Sequence, residues 1–326
     1  MNPPKVSVLL PAFNAQEYLP AAIDSILTQT FSDFELIVVN DGSTDATAQI
    51  LARYTDSRLR VITQANAGLP VSLNRAIGLA QGTYLARQDA DDISLPERLA
   101  KQVAYLDAHP QCGLLGTWAQ IMSVDQLTER SLQHPYRNAE IQLLLFFFNC
   151  FVHSSIMLRA STLKQSGLYP EEPEKFPPED YDLWLRIAQH AEVANLPEVL
   201  LHYRELPSSI SRTKLELMQA RARSMSHEAI CTLINETKPS SSVAKLVLAM
   251  TNLPTPITRQ ELGELQTLLQ ALATQVKTAF PHDEALITST LNQSADLLTK
   301  ARQKAQVRAV DRFLPFDLVA LLKRWR

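Results

Sequence analysis

The sequence predicts an α/β protein: a mostly parallel sheet wrapped by helices, followed by an α-helical C-terminal extension. Three observations carry this. Short apolar runs alternate with helix-period stretches four times within the first 108 residues, which describes parallel strands joined by helical crossovers. Several of those runs stop abruptly on polar or acidic tips, as in "VVNDGSTDAT" (38–47) and "ARQDADD" (86–92). After about residue 212 strand signals cease.

In order along the chain, "VSVLL" (6–10) is a short buried strand stopped by Pro11. Leu19, Ala22, Ile23, Ile26 and Leu27 then fall on one helix face. "FELIVV" (34–39) is a second strand and 46–54 a second helix, with Ser43 to Asp45 as its capping residues. A third strand, "LRVIT" (59–63), precedes a helix over 69–81, and a fourth, "TYLAR" (83–87), precedes a helix that Pro96 opens. Beyond that, 113–122 and 153–159 read as strands, 179–191 as a helix and 198–204 as a strand. In the tail, Thr258 and Glu261 form a capping box ahead of a stripe of Leu262, Leu265, Leu269, Leu272 and Val276. The expected division is an α/β domain over 1–212 and a helical extension over 213–326.

Composition narrows the function classes. Hydrophobic residues make 46% and charged residues 20% of 326, enough for a sizeable core. The net charge of −3 offers no basic field for nucleic acid. Three scattered cysteines form neither metal-ligand spacing nor a disulfide framework, which suits a reducing cytosol. No signal-peptide pattern opens the chain and no apolar run nears the roughly 20 residues of a membrane span, so a cytoplasmic protein is expected. The end, "RFLPFDLVALLKRWR", combines dense apolar surface with basic residues and leaves two readings open. One is a helix docked on its own domain or on a second copy in a homo-oligomer; the other is an interfacial helix holding the protein at the inner face of an anionic membrane.

The carboxylates carry the chemistry. Asp89, Asp91 and Asp92 crowd into four positions at a strand's carboxyl end, where mutual repulsion costs stability unless a cation neutralises it. Hard oxygen ligands in this number suit Mg²⁺ or Mn²⁺, with substrate phosphates as further ligands. A solvated acidic turn capping the next helix is the plainer explanation. Asp41 ends a second strand and Pro11-Ala12-Phe13-Asn14 follows the first; in a parallel sheet all three segments open onto one edge, where α/β proteins hold ligands. Such a rim offers an aromatic face, a base N–H acceptor and a phosphate-bridging cation, which suits a nucleoside diphosphate. Glu179 and Asp180 start a helix after two prolines; they either favour its dipole or supply a general base.

With those segments in hand, the chain resembles the family 2 inverting glycosyltransferases of GT-A fold over roughly residues 5–212. "VSVLLPAFNAQEYL" is similar to the family's opening strand and loop, "VVNDGSTD" to its nucleotide-binding acidic turn, and "QANAGLPVSLNRAI" to its Asn-x-Gly segment, here Asn66, Gly68 and Asn74. "ARQDADDISLPERLAKQ" resembles the metal-binding Asp-x-Asp segment, "HSSIMLR" the His-led strand from His153, "EDYDLWLR" the catalytic Glu-Asp motif, and "HYRELPSSIS" the closing segment. Two positions depart: Asn40 replaces the first of two customary aspartates, and Phe13 replaces a customary tyrosine.

The resemblance implies a nucleotide-sugar donor with its base against Phe13 and Asp41 and its ribose near Asp89. It implies further donor contacts from Pro11, Asn14 and Asn66, a divalent cation on Asp91 with Asp89, and Arg204 and His153 near the diphosphate. Asp180, with Glu179 beside it, would take the proton of an acceptor hydroxyl on a sugar, glycan or lipid-linked molecule in a single inverting displacement. A protein that binds or hydrolyses nucleotide sugars without transfer is the alternative. A nucleotidylyltransferase is disfavoured, because "PAFNAQEY" holds no glycine-rich basic loop.

Overall fold

The computed structural model describes residues 3–123, 125–207, 209–235, 240–251 and 255–308. The C-terminal stretch from Phe313 to Arg326, on which the docked-helix and membrane-helix readings rest, lies outside them.

The chain divides into two units, 1–136 with 151–218, and 137–150 with the segment from 219 onward. In the first, β1 (Val6–Ala12), β2 (Phe34–Asp41), β3 (Leu59–Gln64) and β4 (Tyr84–Arg87) are parallel in the order β3-β2-β1-β4. The helices between them are α1 (Leu19–Leu27), the short α2 (Thr47–Leu51) and α3 (Leu69–Leu79). β1 is buried along its whole length, which explains why its apolar residues fall on both faces: both are covered, so no alternation is imposed. The expected stop at Pro11 is replaced by a strand that continues to Ala12. Val6 N donates toward β2 and Leu9 O accepts from Gln88 N on the β4 side. By alternation Pro11 faces the β4 side beyond its last registered pair, Leu9 with Arg87, so the absent N–H breaks no ladder bond.

Beyond β4 the sheet becomes mixed. β5 (Ile93–Ser94), α4 (Arg98–Ala108), β6 (Cys112–Ser123) and β7 (Gln126–Leu132) follow, and β7 pairs antiparallel with β6. The sequence reading passed over β7 because its face is polar and half exposed. α5 (Asn138–Leu144) is likewise a helix in the stretch read only as polar and then aromatic. β8 (Met157–Arg159) is shorter than expected, because His153–Ser155 form a helical turn before it. It joins β4 to β6, antiparallel to both. α6 (Leu163–Ser166) and α7 (Glu179–Ile187) precede β9 (Glu192–Glu205), which runs along β6 and turns its far side to β5.

The second unit gathers α5 with α10 (Ser241–Met250), α11 (Arg259–Ala279), α12 (Glu284–Arg308) and most of α9 (Leu215–Leu233); the four-residue α8 (Ile210–Thr213) closes the first unit's run. Ala139, Leu143 and Phe147 are buried in one apolar cluster with Leu246, Leu269, Leu272 and Ile287. The aromatic run, expected within the 1–212 α/β domain, therefore packs with the helical extension. The capping box on α11 is formed: Glu261 N donates to Thr258 Oγ1 (3.2 Å) and Thr258 N to Glu261 Oε2 (2.8 Å). Among the described residues no helix is long and apolar enough to cross a membrane.

Candidate active site

In the order β3-β2-β1-β4 the strand sequence reverses beside β1, and the crevice outside the carboxyl ends of the strands at such a point is where open α/β sheets hold ligands. A cleft of about 1090 Å³ lies there. Pro11, Phe13, Asn14, Asp41, Asn66, Asp89, Asp91, Glu179, Asp180 and Arg204 all line it, together with His153. These candidate residues thus reach one cavity, while Asp92 is buried behind its wall. Asn74 does not line it: it links α3 to the 169–171 segment through Tyr169 O (2.9 Å) and Glu171 Oε1 (2.8 Å).

At one end, Phe13 is 52% exposed, an uncovered ring on the cleft wall. Asn14, at φ 48°, ties the first loop to the acidic turn, accepting from Thr44 N (2.8 Å) while its own N–H donates to Ser43 Oγ (3.0 Å). Asn40, in place of the customary aspartate, accepts from Ser43 N (3.2 Å) and so keeps the acceptor that this turn uses. Asp41 is only 3% exposed and accepts from Gln64 Nε2 (2.7 Å), Ala67 N and Gly68 N (both 2.9 Å). Those amides stand at the N-terminus of α3, the end of a helix that favours an anion. Asn66 Nδ2 donates to Asp41 O (3.0 Å). Gly42 makes the approach feasible: its φ is +70°, and a Cβ there would stand 2.5 Å from Asn66 N.

At the centre, Asp89, Asp91 and Asp92 each place an oxygen within 4.8 Å of the others. Burial and then Asp89 push Asp91 up to about 6, and burial with Asp89 and Asp91 drives Asp92 far above the usual carboxylate range. Among the described residues, Asp92 Oδ2 is buried without a hydrogen-bond partner. An orphaned oxygen among mutually repelling carboxylates is a donor set that a hard divalent cation fits.

Two buried arginines, invisible to motif reading, support this cluster. Arg87, 2% exposed at the end of β4, pairs with Asp89 at 2.5 Å. Arg98, fully buried, donates to Ser154 O (2.6 Å) and Arg87 O (2.8 Å), and burial pulls it down to about 9. Arg204 comes from β9, whose pairing with β5 carries it past the cluster. Its N–H donates to Asp92 Oδ1 (2.7 Å), its Nε to Asp91 O (2.8 Å) and its Nη1 to Asp125 Oδ1 (2.7 Å), while its guanidinium lies 4.1 Å from the Tyr18 ring centroid. The side chain expected near a diphosphate lines the cleft and also braces the acidic turn.

At the far end, Glu179 and Asp180 open α7 and are 4% and 9% exposed. Burial, and next the Asp180 charge, push Glu179 up to about 8. Asp180 Oδ1 accepts from Tyr181 N (2.8 Å). His153 Nδ1 lies 3.6 Å from Glu179 Oε1 and 4.0 Å from Asp180 Oδ2, and its Nε2 shares a 2.9 Å hydrogen bond with Tyr169 Oη. Burial, then the Arg87 charge, hold the imidazole well below its usual value and therefore neutral. Tyr169 was not foreseen; only the bare "GLYP" marks it in sequence.

A mixed sheet with an acidic cleft at its reversal point marks a ligand-binding α/β protein, and the comparisons identify it further. The family model for glycosyl transferase family 2 matches residues 7–166. The chain is 35% identical over 227 residues to O-antigen biosynthesis glycosyltransferase WbnJ of Escherichia coli, covering 68% of this chain and 87% of that one. The structure of S. aureus TarS 1–349 in complex with UDP-GlcNAc aligns with a TM-score of 0.58 at 18% identity, covering 96% of this chain and 94% of TarS. The mannosyltransferase PcManGT from Pyrobaculum calidifontis, in complex with GDP-Man and Mn2+, aligns at 0.53 and 18% identity, covering 93% and 87%. The chain belongs to glycosyl transferase family 2 and has the GT-A fold.

Proposed function

We propose that this glycosyltransferase moves a sugar from a nucleoside-diphosphate sugar to a hydroxyl of a glycan or lipid-linked acceptor, with inversion, in polysaccharide assembly. The observation that carries this reading is the placement of Asp89 and Asp91 and the Glu179–Asp180 pair on one cleft. WbnJ, named for O-antigen biosynthesis, supports the polysaccharide context, and the TarS and PcManGT complexes support a nucleotide-sugar donor.

In this reading the donor's base lies on Phe13 with an N–H directed at Asp41, and its ribose lies near Asp89. Pro11, Asn14 and Asn66 shape the base end. Asp91 and Asp89 would hold Mg²⁺ or Mn²⁺, which would supply positive charge to offset that of the diphosphate. Arg204 keeps the acidic turn in place. Asp180 accepts the proton of the acceptor hydroxyl as it attacks the anomeric carbon from the face opposite the leaving diphosphate. Burial and the neighbouring Asp180 charge favour the protonated form of Glu179, which supports Asp180 as the carboxylate that receives the acceptor's proton.

A panel of nucleotide sugars screened by thermal shift with and without Mn²⁺, followed by transfer to hydroxyl acceptors, tests the reading. A cation-dependent shift and a glycosylated product are expected. Release of free sugar without any acceptor requirement would make the protein a hydrolase instead.

A further inference from the structure

The hydrogen bonds around Asp41 restrict which base the cleft can read. A carboxylate offers about four acceptor positions, two on each oxygen. Asp41 Oδ1 accepts from Gln64 Nε2 at 2.7 Å and from Ala67 N at 2.9 Å, so both of its positions are taken. Oδ2 accepts from Gly68 N at 2.9 Å and keeps one position.

The Gln64 amide cannot turn to change this count. Arg75 Nη1 donates to Gln64 Oε1 at 2.8 Å, and a guanidinium has donors only, so the amide oxygen must face Arg75 and the NH₂ must face Asp41 and Ser72 Oγ (3.1 Å). The backbone around it is equally committed. Ala67 and Gly68 lead into α3, Gly68 at φ +91°, and Gly42 packs against Asn66 too closely for any side chain. Freeing Oδ1 would break bonds to a strand end and to a helix entrance together.

We propose that Gln64, held by Arg75, is a base-specificity determinant that leaves Asp41 a single acceptor position. The cleft then takes a nucleoside diphosphate whose base offers one ring N–H, uracil or thymine, and rejects guanine. This rests on the proposed reading of the cleft as a nucleoside-diphosphate site with the base against Phe13 and Asp41. Guanine presents N1–H and an N2 amino hydrogen side by side and needs both oxygens of a carboxylate. Here one of those donors would be buried without a partner, a loss on the order of 10- to 100-fold in affinity. Adenine and cytosine offer an exocyclic amino hydrogen, which is less acidic than an imide N–H and bonds a carboxylate more weakly.

Calorimetric titration of the full chain with UDP, dTDP and GDP, each with Mn²⁺, tests the proposal on the wild type, Gln64→Leu and Arg75→Met. The wild type should bind UDP and dTDP at least roughly tenfold tighter than GDP. Gln64→Leu frees an acceptor position on Oδ1 and should narrow that ratio by strengthening GDP relative to UDP. Arg75 is exposed, so Arg75→Met should fold normally; it releases the amide and should narrow the ratio partway. GDP binding as tightly as UDP to the wild type would overturn the proposal while leaving the nucleotide reading intact. So would an unchanged ratio in both variants. Failure of all three nucleotides to bind would overturn both.

Discussion

Nδ1 of His153 lies 3.6 Å from Oε1 of Glu179, yet the contact is not an ion pair. Burial holds the imidazole neutral, and burial together with the Asp180 charge holds the Glu179 carboxyl protonated up to about 8. Two uncharged groups meet where simple inspection would draw opposite charges. The neighbouring carboxylate, Asp180, is the one placed to receive a proton in the proposed reaction. Asp180→Asn should leave donor affinity near normal and reduce transfer by roughly 10²-fold or more, whereas Glu179→Gln should be milder. If transfer assays find Glu179→Gln the more damaging, the base has been placed on the wrong residue.

The same shift sets a pH dependence of stability. Glu179 titrates near its usual 4.5 when unfolded and at about 8 when folded, so the folded protein binds the extra proton between those values. Stability contributed by the proton is therefore complete below about 4.5 and is lost as pH rises through about 8. Glu179→Gln cannot lose a proton, so its melting temperature should fall less than that of the wild type between pH 5 and pH 8. Parallel melting curves for the two proteins over that range would contradict the assignment.

For the cation, Asp91→Ala should abolish Mn²⁺-dependent nucleotide binding while the fold survives. Asp91 stands on the cleft wall beside Asp89 and Asp92, and its removal relieves repulsion rather than emptying a core. Calorimetry with and without Mn²⁺ measures the coupling. A variant whose nucleotide affinity responds to Mn²⁺ as the wild type's does would move the cation elsewhere.

Gly42→Ala should destabilise the first unit by about 1–3 kcal/mol, because the position requires positive φ and the new Cβ would meet Asn66 N. Chemical denaturation measures the loss. Nucleotide affinity should fall as well, since the displaced Asn66 no longer holds the Asp41 loop. An unchanged denaturation midpoint would show that the loop yields freely.

Much of this protein was determined by its sequence alone, because the signals involved are local. The buried strands β1 and β2 announce themselves as apolar runs, α1 and α11 through their 3.6-residue stripes, and the cap of α11 through Thr258 and Glu261. Strands that share a direction must open on one edge, so the sequence also brings Phe13, Asp41 and the Asp89–Asp92 cluster together. Tertiary structure decided what depends on distant partners. A buried Arg87 or Arg98 is written with the same letter as a solvated one, and only β4, α4 and the carboxylates around them remove it from water. The half-exposed strand β7 exists because β6 offers it an edge. Residues 137–150 pack with the helical unit because Phe147 and its neighbours find their apolar partners there, a choice that no local period encodes. The acceptor count of Asp41 was set last of all: Gln64 lies 23 positions away, and only the folded loop brings its amide to the carboxylate.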